Sequence, residues 1–193
     1  MGFEIKKFKD INLNDSFFDS LKADYAEFSE WFNKKSEKKA LIHFDENNQL
    51  NGFLYLKIES EELDITPPQG VLKRLKVGTM KIDAHGTRLG ERFIKKLFDY
   101  AIYNKVEEIY VTIFPKHESL INLFKKYDFE VTGTKISKNG NENVLSRKFS
   151  GDEVKYTYPF IEHNQSSNIY FLSIYPVYHS RLFPDSILKS ENG

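Results

Sequence analysis

The stretch Met80-Lys81-Ile82-Asp83-Ala84-His85-Gly86-Thr87-Arg88-Leu89-Gly90 combines residue types suited to holding an anion. An alternating strand pattern ends there, a short glycine-bearing turn follows, and an amphipathic helix opens near Arg88. Such a turn aims consecutive backbone N–H groups at one point, backed by the positive end of the helix dipole, and can cradle a phosphate or pyrophosphate. Gly86 and Gly90 permit close backbone approach, and Arg88 adds a charge-assisted contact. The plainer reading is an ordinary strand-to-helix turn with Gly90 serving helix packing. His117 is the second point of interest. It follows a buried strand, and histidine is the side chain whose ordinary titration lies near neutrality; the competing reading is a helix cap without chemistry. The acids Glu59, Glu61, Glu62 and Asp64 precede a proline loop and read as a solvated run. Histidines 43, 85, 117, 163 and 179 are scattered, without the short spacings of a metal site. A Gly-x-Ser-x-Gly elbow is absent, as is any cysteine nucleophile.

The elements that must position these residues can be read from periodicity. Residues 3–9 read as an opening strand. Phe17, Phe18, Leu21, Tyr25, Phe28, Trp31 and Phe32 recur at helical spacing after an approximate capping box at Ser16 and Asp19, which predicts one helix with a broad aromatic face, read as core. Strands are expected at Ala40–Phe44, Gly52–Glu59 and Val71–Ile82, with Thr66–Gly70 as a loop. On the third strand, simple alternation puts Leu75, Val77 and Thr79 on one face and Lys76, Gly78 and Met80 on the other. A helix from Arg88 to Tyr103, the buried strand Glu108–Phe114 and a helix from Glu118 to Tyr127 come next. Val131–Ser137 and Asn143–Phe149 flank Lys138-Asn139-Gly140-Asn141, a hairpin signal. This order predicts an α+β or α/β class, with a mixed sheet and helices packed on it. Residues 1–150 form the expected domain. Residues 151–193 form a C-terminal extension, with a strand at Asn168–Tyr175 and an aromatic stretch to Pro184, that packs on the domain or begins another.

Composition narrows the partners. The chain has 193 residues, with 28 basic and 28 acidic side chains, so no overall positive charge recommends nucleic acid or an anionic membrane. Aromatics make up 15% of the chain, which supplies a folded core. No apolar run reaches the roughly 20 residues of a membrane span. The opening Met-Gly-Phe-Glu-Ile-Lys-Lys lacks a signal-peptide core, so a cytoplasmic location is expected. A homodimer or a longer multidomain chain stays open.

His85-Gly86-Thr87-Arg88-Leu89-Gly90, opening a helix after a strand, resembles the acyl-CoA pyrophosphate loop of the GCN5-related N-acetyltransferases, whose pattern is Arg/Gln-x-x-Gly-x-Gly/Ala. Leu123-Phe124-Lys125-Lys126-Tyr127-Asp128-Phe129 resembles the family's second signature, aromatic-x-x-x-Gly-Phe. The resemblance spans roughly residues 3–149 and is specific from about 75 onward. It implies a mostly antiparallel sheet with helices on both faces, and acetyl-CoA as co-substrate. A strand splayed open would let backbone near Met80, Lys81 and Ile82 position the thioester, while His85, Gly86, Thr87, Arg88, Leu89 and Gly90 hold the pyrophosphate. His117, standing where many members carry an asparagine, is the candidate catalytic residue. The implied reaction moves an acetyl group to the amine of a small molecule or protein. Four further positions depart from the pattern. His85 and Arg88 replace Arg/Gln and Gly, Asp128 replaces the glycine before Phe129, and Phe124 replaces a tyrosine that protonates the departing thiolate. Phenylalanine cannot donate a proton. That substitution motivates the alternative of a catalytically degenerate module that binds CoA or a protein partner.

Overall fold

A computed structural model describes residues 2–83 and 87–149, and the strand backbone at 161–162 and 171–172. The chain divides into two units, Met1–Ser150 and Gly151–Gly193. In the second, Ile161–Glu162 pairs antiparallel with Phe171–Leu172. The remainder of the expected Asn168–Tyr175 strand, and the aromatic stretch after it, lie outside the described residues.

The first unit is built on a seven-stranded sheet. Its strands are β1 (Gly2–Lys7), β2 (Lys39–Phe44), β3 (Leu50–Glu59), β4 (Arg74–Ile82), β5 (Glu108–Ile113), β6 (Glu130–Ser137) and β7 (Gly140–Lys148). They lie in the order β1-β2-β3-β4-β5-β7-β6, and only β4 and β5 run parallel. The helices are α1 (Asp19–Asp24), α2 (Phe28–Lys34), α3 (Leu89–Tyr103) and α4 (Glu118–Lys126). The expected mixed, mostly antiparallel sheet with helices on both faces is what the chain forms.

Two apolar layers flank the sheet. On one face α3 and α4 bury Leu89, Phe93, Leu97, Ile121 and Phe124 against Leu54, Leu75, Val77, Met80, Ile109 and Leu145. On the other, Phe8, Phe17, Phe18, Phe28 and Phe32 pack against Ala40, Ile42, Phe53 and Tyr55. Edge-to-face contacts such as Phe8–Phe53 at 5.6 Å and Phe18–Phe53 at 5.4 Å interlock this aromatic layer. Each pair of this kind adds about 0.5–1.5 kcal/mol beyond area burial.

Two expectations about these elements are corrected. The aromatic stretch from Phe17 to Phe32 is not one helix. A 3-10 turn at Ser16–Phe18, capped by the Asp15 carboxylate accepting from Phe17 N at 2.9 Å, leads into α1. Tyr25 then turns extended, at φ −130° and ψ 102°, before α2 begins. The break sends the Tyr25 hydroxyl to Glu142 Oε1 at 2.8 Å, a contact a continuous helix would forgo. The second correction concerns β4, where Leu56 pairs with Val77 and Tyr55 with Thr79, leaving Gly78 as an unmatched bulge residue. The bulge shifts the alternation, so Met80 joins Leu75 and Val77 on the α3 face.

The end of α4 shows how Asp128 meets a glycine's demand. Phe129 N donates to Phe124 O and Asp128 N to Lys125 O, the two bonds of a Schellman cap. The rings of Phe124 and Phe129 meet at 4.9 Å, the apolar contact that accompanies such a cap. Asp128 sits at φ 58°, the left-handed conformation that glycine adopts without steric cost. Asp128→Gly is therefore expected to stabilise the fold by about 0.5–1 kcal/mol, read as a higher urea midpoint at unchanged slope.

Candidate functional site

The parallel pairing of β4 with β5 runs only from Arg74↔Glu108 to Val77↔Val111. Beyond it, Thr79 to Ile82 follow β3, while Thr112 and Ile113 follow β7. The two central strands therefore part at their C-terminal ends. The bulge at Gly78 marks the point of divergence, and a Cβ there would lie 2.7 Å from Tyr55 Cδ1. Glycine lets the bulged strand lie against that ring.

Met80, Lys81 and Ile82 stand on the diverging part of β4. Met80 and Ile82 pack toward α3, whereas Lys81 projects to the other face. Its ammonium donates to Ser20 Oγ at 2.7 Å and to Phe17 O, lies 3.3 Å from Asp83 Oδ2, and sits over the Phe17 ring. Lys81 thus straps the start of α1 to the end of β4. The turn between β4 and α3 begins with Asp83 N donating to Asn51 O at 3.0 Å. His85 and Gly86 lie outside the described residues. Thr87 and Arg88 are exposed at the N-terminus of α3, and the Leu89 amide donates to Thr87 Oγ1 at 3.3 Å. Leu89 is buried, with its side chain in the core. Gly90 faces α4, where an added Cβ would meet Leu123 Cδ2 at 2.8 Å, so this glycine serves helix packing.

His117 is the N-cap residue of α4, but its ring makes no capping bond. Nε2 instead lies 2.9 Å from Asp24 Oδ2 on α1, and the Lys116 ammonium donates to the other oxygen of that carboxylate. Burial pushes the Asp24 carboxyl up, but the hydrogen bonds from Lys116 and His117 outweigh it and hold it below the usual carboxylate range. Asp24 therefore stays ionised beside the imidazole. Next to this group is a pocket of about 390 Å³, lined by Ala23, Asp24, Phe114, Pro115, Lys116 and Asn139. Its walls come from α1, the segment after β5 and the β6–β7 turn.

Around the pocket, the Tyr25 and Phe114 rings meet at 5.1 Å. Asn139 donates to Glu27 Oε1 at 3.0 Å, bringing the β6–β7 turn to the segment between α1 and α2. Burial and the adjacent Glu142 carboxylate both push the Tyr25 hydroxyl up, so it acts only as a proton-bearing donor. On the same sheet face Tyr110 donates to Glu59, and burial with that contact pushes its hydroxyl up as well. The acids read from sequence as solvated thus include one, Glu59, that is engaged with Tyr110 and Lys57.

Sequence reasoning missed Asp24, Gly78 and Glu142. Asp24 sits at a polar position of an aromatic-faced segment, and its partner is 93 residues away. Gly78 carried the one available signal, a glycine inside a strand pattern, which marks a bulge. Phe124 is fully buried, with its ring on Phe129, and offers no proton donor. Among the described residues no three His, Asp or Glu side chains gather as a metal site requires. No described helix is long and apolar enough to cross a membrane.

No family model matches the chain, and no curated protein matches it. Solved structures do. A protein provisionally described as a phosphinothricin N-acetyltransferase superposes with a TM-score of 0.53 at 16% identity, covering 78% of this chain and all of that one. Arabidopsis thaliana NAA60 with a bisubstrate analogue gives 0.52 at 14% identity, over 76% of this chain and 98% of the other. The NatC complex bound to Gag peptide and CoA gives 0.50 at 14% identity, over 78% of this chain and 100% of the matched chain. The chain has the fold of the GCN5-related N-acetyltransferases.

Proposed function

We propose that the chain is an acetyl-CoA-dependent N-acetyltransferase acting in the cytoplasm. The observation that carries this reading is the parting of β4 from β5 at a glycine bulge, directly before a turn that enters α3. The opening is a slot between two strands, and the helix N-terminus beside it favours an anion such as a pyrophosphate. In this reading the Thr87–Gly90 backbone and the Arg88 guanidinium hold the pyrophosphate, and backbone between Gly78 and Ile82 faces the thioester oxygen as negative charge grows on it.

Asp24 and His117 supply the acceptor side. The acceptor arrives as an ammonium ion and gives one proton to the His117 imidazole, which Asp24 holds by Nε2 and which releases that proton to solvent. The nitrogen lone pair then forms a bond to the acetyl carbon, and the carbon–sulfur bond breaks with its electron pair on sulfur. The second proton leaves the nitrogen and ends on the CoA thiolate by way of water, because Phe124 has none to give. The balance is an acetamide, CoA thiol and one proton in solution.

Isothermal titration with acetyl-CoA and with CoA tests the reading. Saturable binding is expected, weakened about tenfold or more in Arg88→Glu, which places a carboxylate against the pyrophosphate. Absence of binding at millimolar ligand would sink it. Saturable binding with no acetyl transfer to any amine would favour the degenerate CoA-binding module instead.

A further inference from the structure

Resting on that reading, we infer that the acceptor is a small zwitterion, an amino-acid-like molecule bearing both a primary ammonium and a carboxylate. The inference comes from the pocket beside His117. It is an open cleft of about 390 Å³, room enough for an amino-acid-sized molecule. Charges of both signs meet on its rim. Asp24 has 12% of its side chain exposed and is engaged by the Lys116 ammonium and the His117 imidazole. Lys116 is 60% exposed, with its stem on the surface, so its ammonium can swing away from Asp24 without desolvation.

The pair Lys116–Asp24 is a self-neutralised stand-in for a ligand of both signs. An incoming ammonium takes the place of the Lys116 ammonium at Asp24, and the displaced lysine turns to the ligand's carboxylate. A ligand carrying only the ammonium competes with Lys116 for Asp24 and gives the lysine no new partner. One carrying only a carboxylate leaves the lysine shared between two anions. Only the ligand with both groups exchanges one ion pair for two. Between these charges the walls are Ala23, Phe114 and Pro115, which suit a short apolar side chain. Asn139, held to Glu27 from the β6–β7 turn, completes the lining.

The test is acetyl-CoA-dependent thiol release with three acceptor sets: free amino acids, their decarboxylated amines, and dipeptide or longer N-termini. Wild-type protein and Lys116→Ala are compared, with acetyl-CoA titration run on both. Free amino acids are expected to be the best acceptors. Lys116→Ala should raise KM for them about tenfold, leave KM for the decarboxylated amines unchanged or lower because their competitor for Asp24 is gone, and leave acetyl-CoA affinity unchanged. Transfer only to decarboxylated amines or to peptides would overturn the zwitterion assignment while sparing the acetyltransferase reading. Equal KM increases for amino acids and decarboxylated amines in Lys116→Ala would also overturn it. Failure of wild-type protein to bind acetyl-CoA would bring down the underlying reading, and the inference with it.

Discussion

Replacing His117 with alanine is expected to lower kcat/KM for the acceptor by about 10²–10⁴-fold, the usual contribution of a positioned acid–base group. Affinity for acetyl-CoA should stay within about twofold, because the ring points to Asp24 and makes no capping bond to α4. The helix start survives as well, since the His117 backbone carbonyl accepts from Leu120 and Ile121 whatever the side chain. Thiol-release kinetics and acetyl-CoA titration on the same preparation separate the two effects. Asp24→Asn should fall between wild type and His117→Ala, because the imidazole loses the carboxylate that holds it by Nε2. A His117→Ala protein with wild-type kcat/KM would remove His117 from the chemistry and leave solvent as the proton acceptor.

The second large effect is on stability. Arg74 and Glu108 form an ion pair of 2.6 Å with only 3% and 2% of their side chains exposed. Arg74 Nη1 also donates to Glu61 O at 3.2 Å, and Ser146 Oγ donates to Glu108 Oε2 at 3.4 Å. Removing one partner leaves a buried charge without its counterion, a loss of about 3–5 kcal/mol, whereas replacing both with apolar residues of similar volume is often neutral. Arg74→Met and Glu108→Leu singly are expected to lose that much in urea denaturation, and the double variant to return to within about 1 kcal/mol of wild type. Single variants costing less than about 1 kcal/mol would show that water reaches the pair. These residues are the first register pair between β4 and β5, so the ion pair fixes the closed end of the slot that opens beyond Val77 and Val111.

Local periodicity was enough for α3, β5 and α4, because each is a continuous run with one apolar face or two. It misread the segment from Phe17 to Phe32, where the aromatic spacing fits one helix but Tyr25 leaves helical geometry for a partner in β7. A contact between residues 25 and 142 has no local signature. The β4 alternation failed at Gly78 for a related reason. A bulge is a mismatch with a neighbouring strand, and a single strand's pattern cannot record it. The passage from β4 to α3 was legible from where strand alternation stops and helical spacing starts, although Gly90 lies inside α3 and serves the α3–α4 contact. His117 could be singled out by its place after a buried strand. Its carboxylate partner could not, because Asp24 is one of many acids at a polar helical position. Asp128 kept the left-handed geometry of the glycine it replaces, so that departure altered the residue and not the cap.

The two apolar layers share no residue, and the sheet stands between them. The side chains that pack α3 onto the sheet belong to one layer, and Tyr25, next to Asp24, packs against the other. Such an arrangement is modular in an evolutionary sense. On the proposed reading, substitutions in the aromatic layer or the β6–β7 turn can retune which amine is accepted while the donor-binding half drifts under separate constraints. Two proteins descended from this one could therefore diverge in acceptor while keeping an unchanged donor.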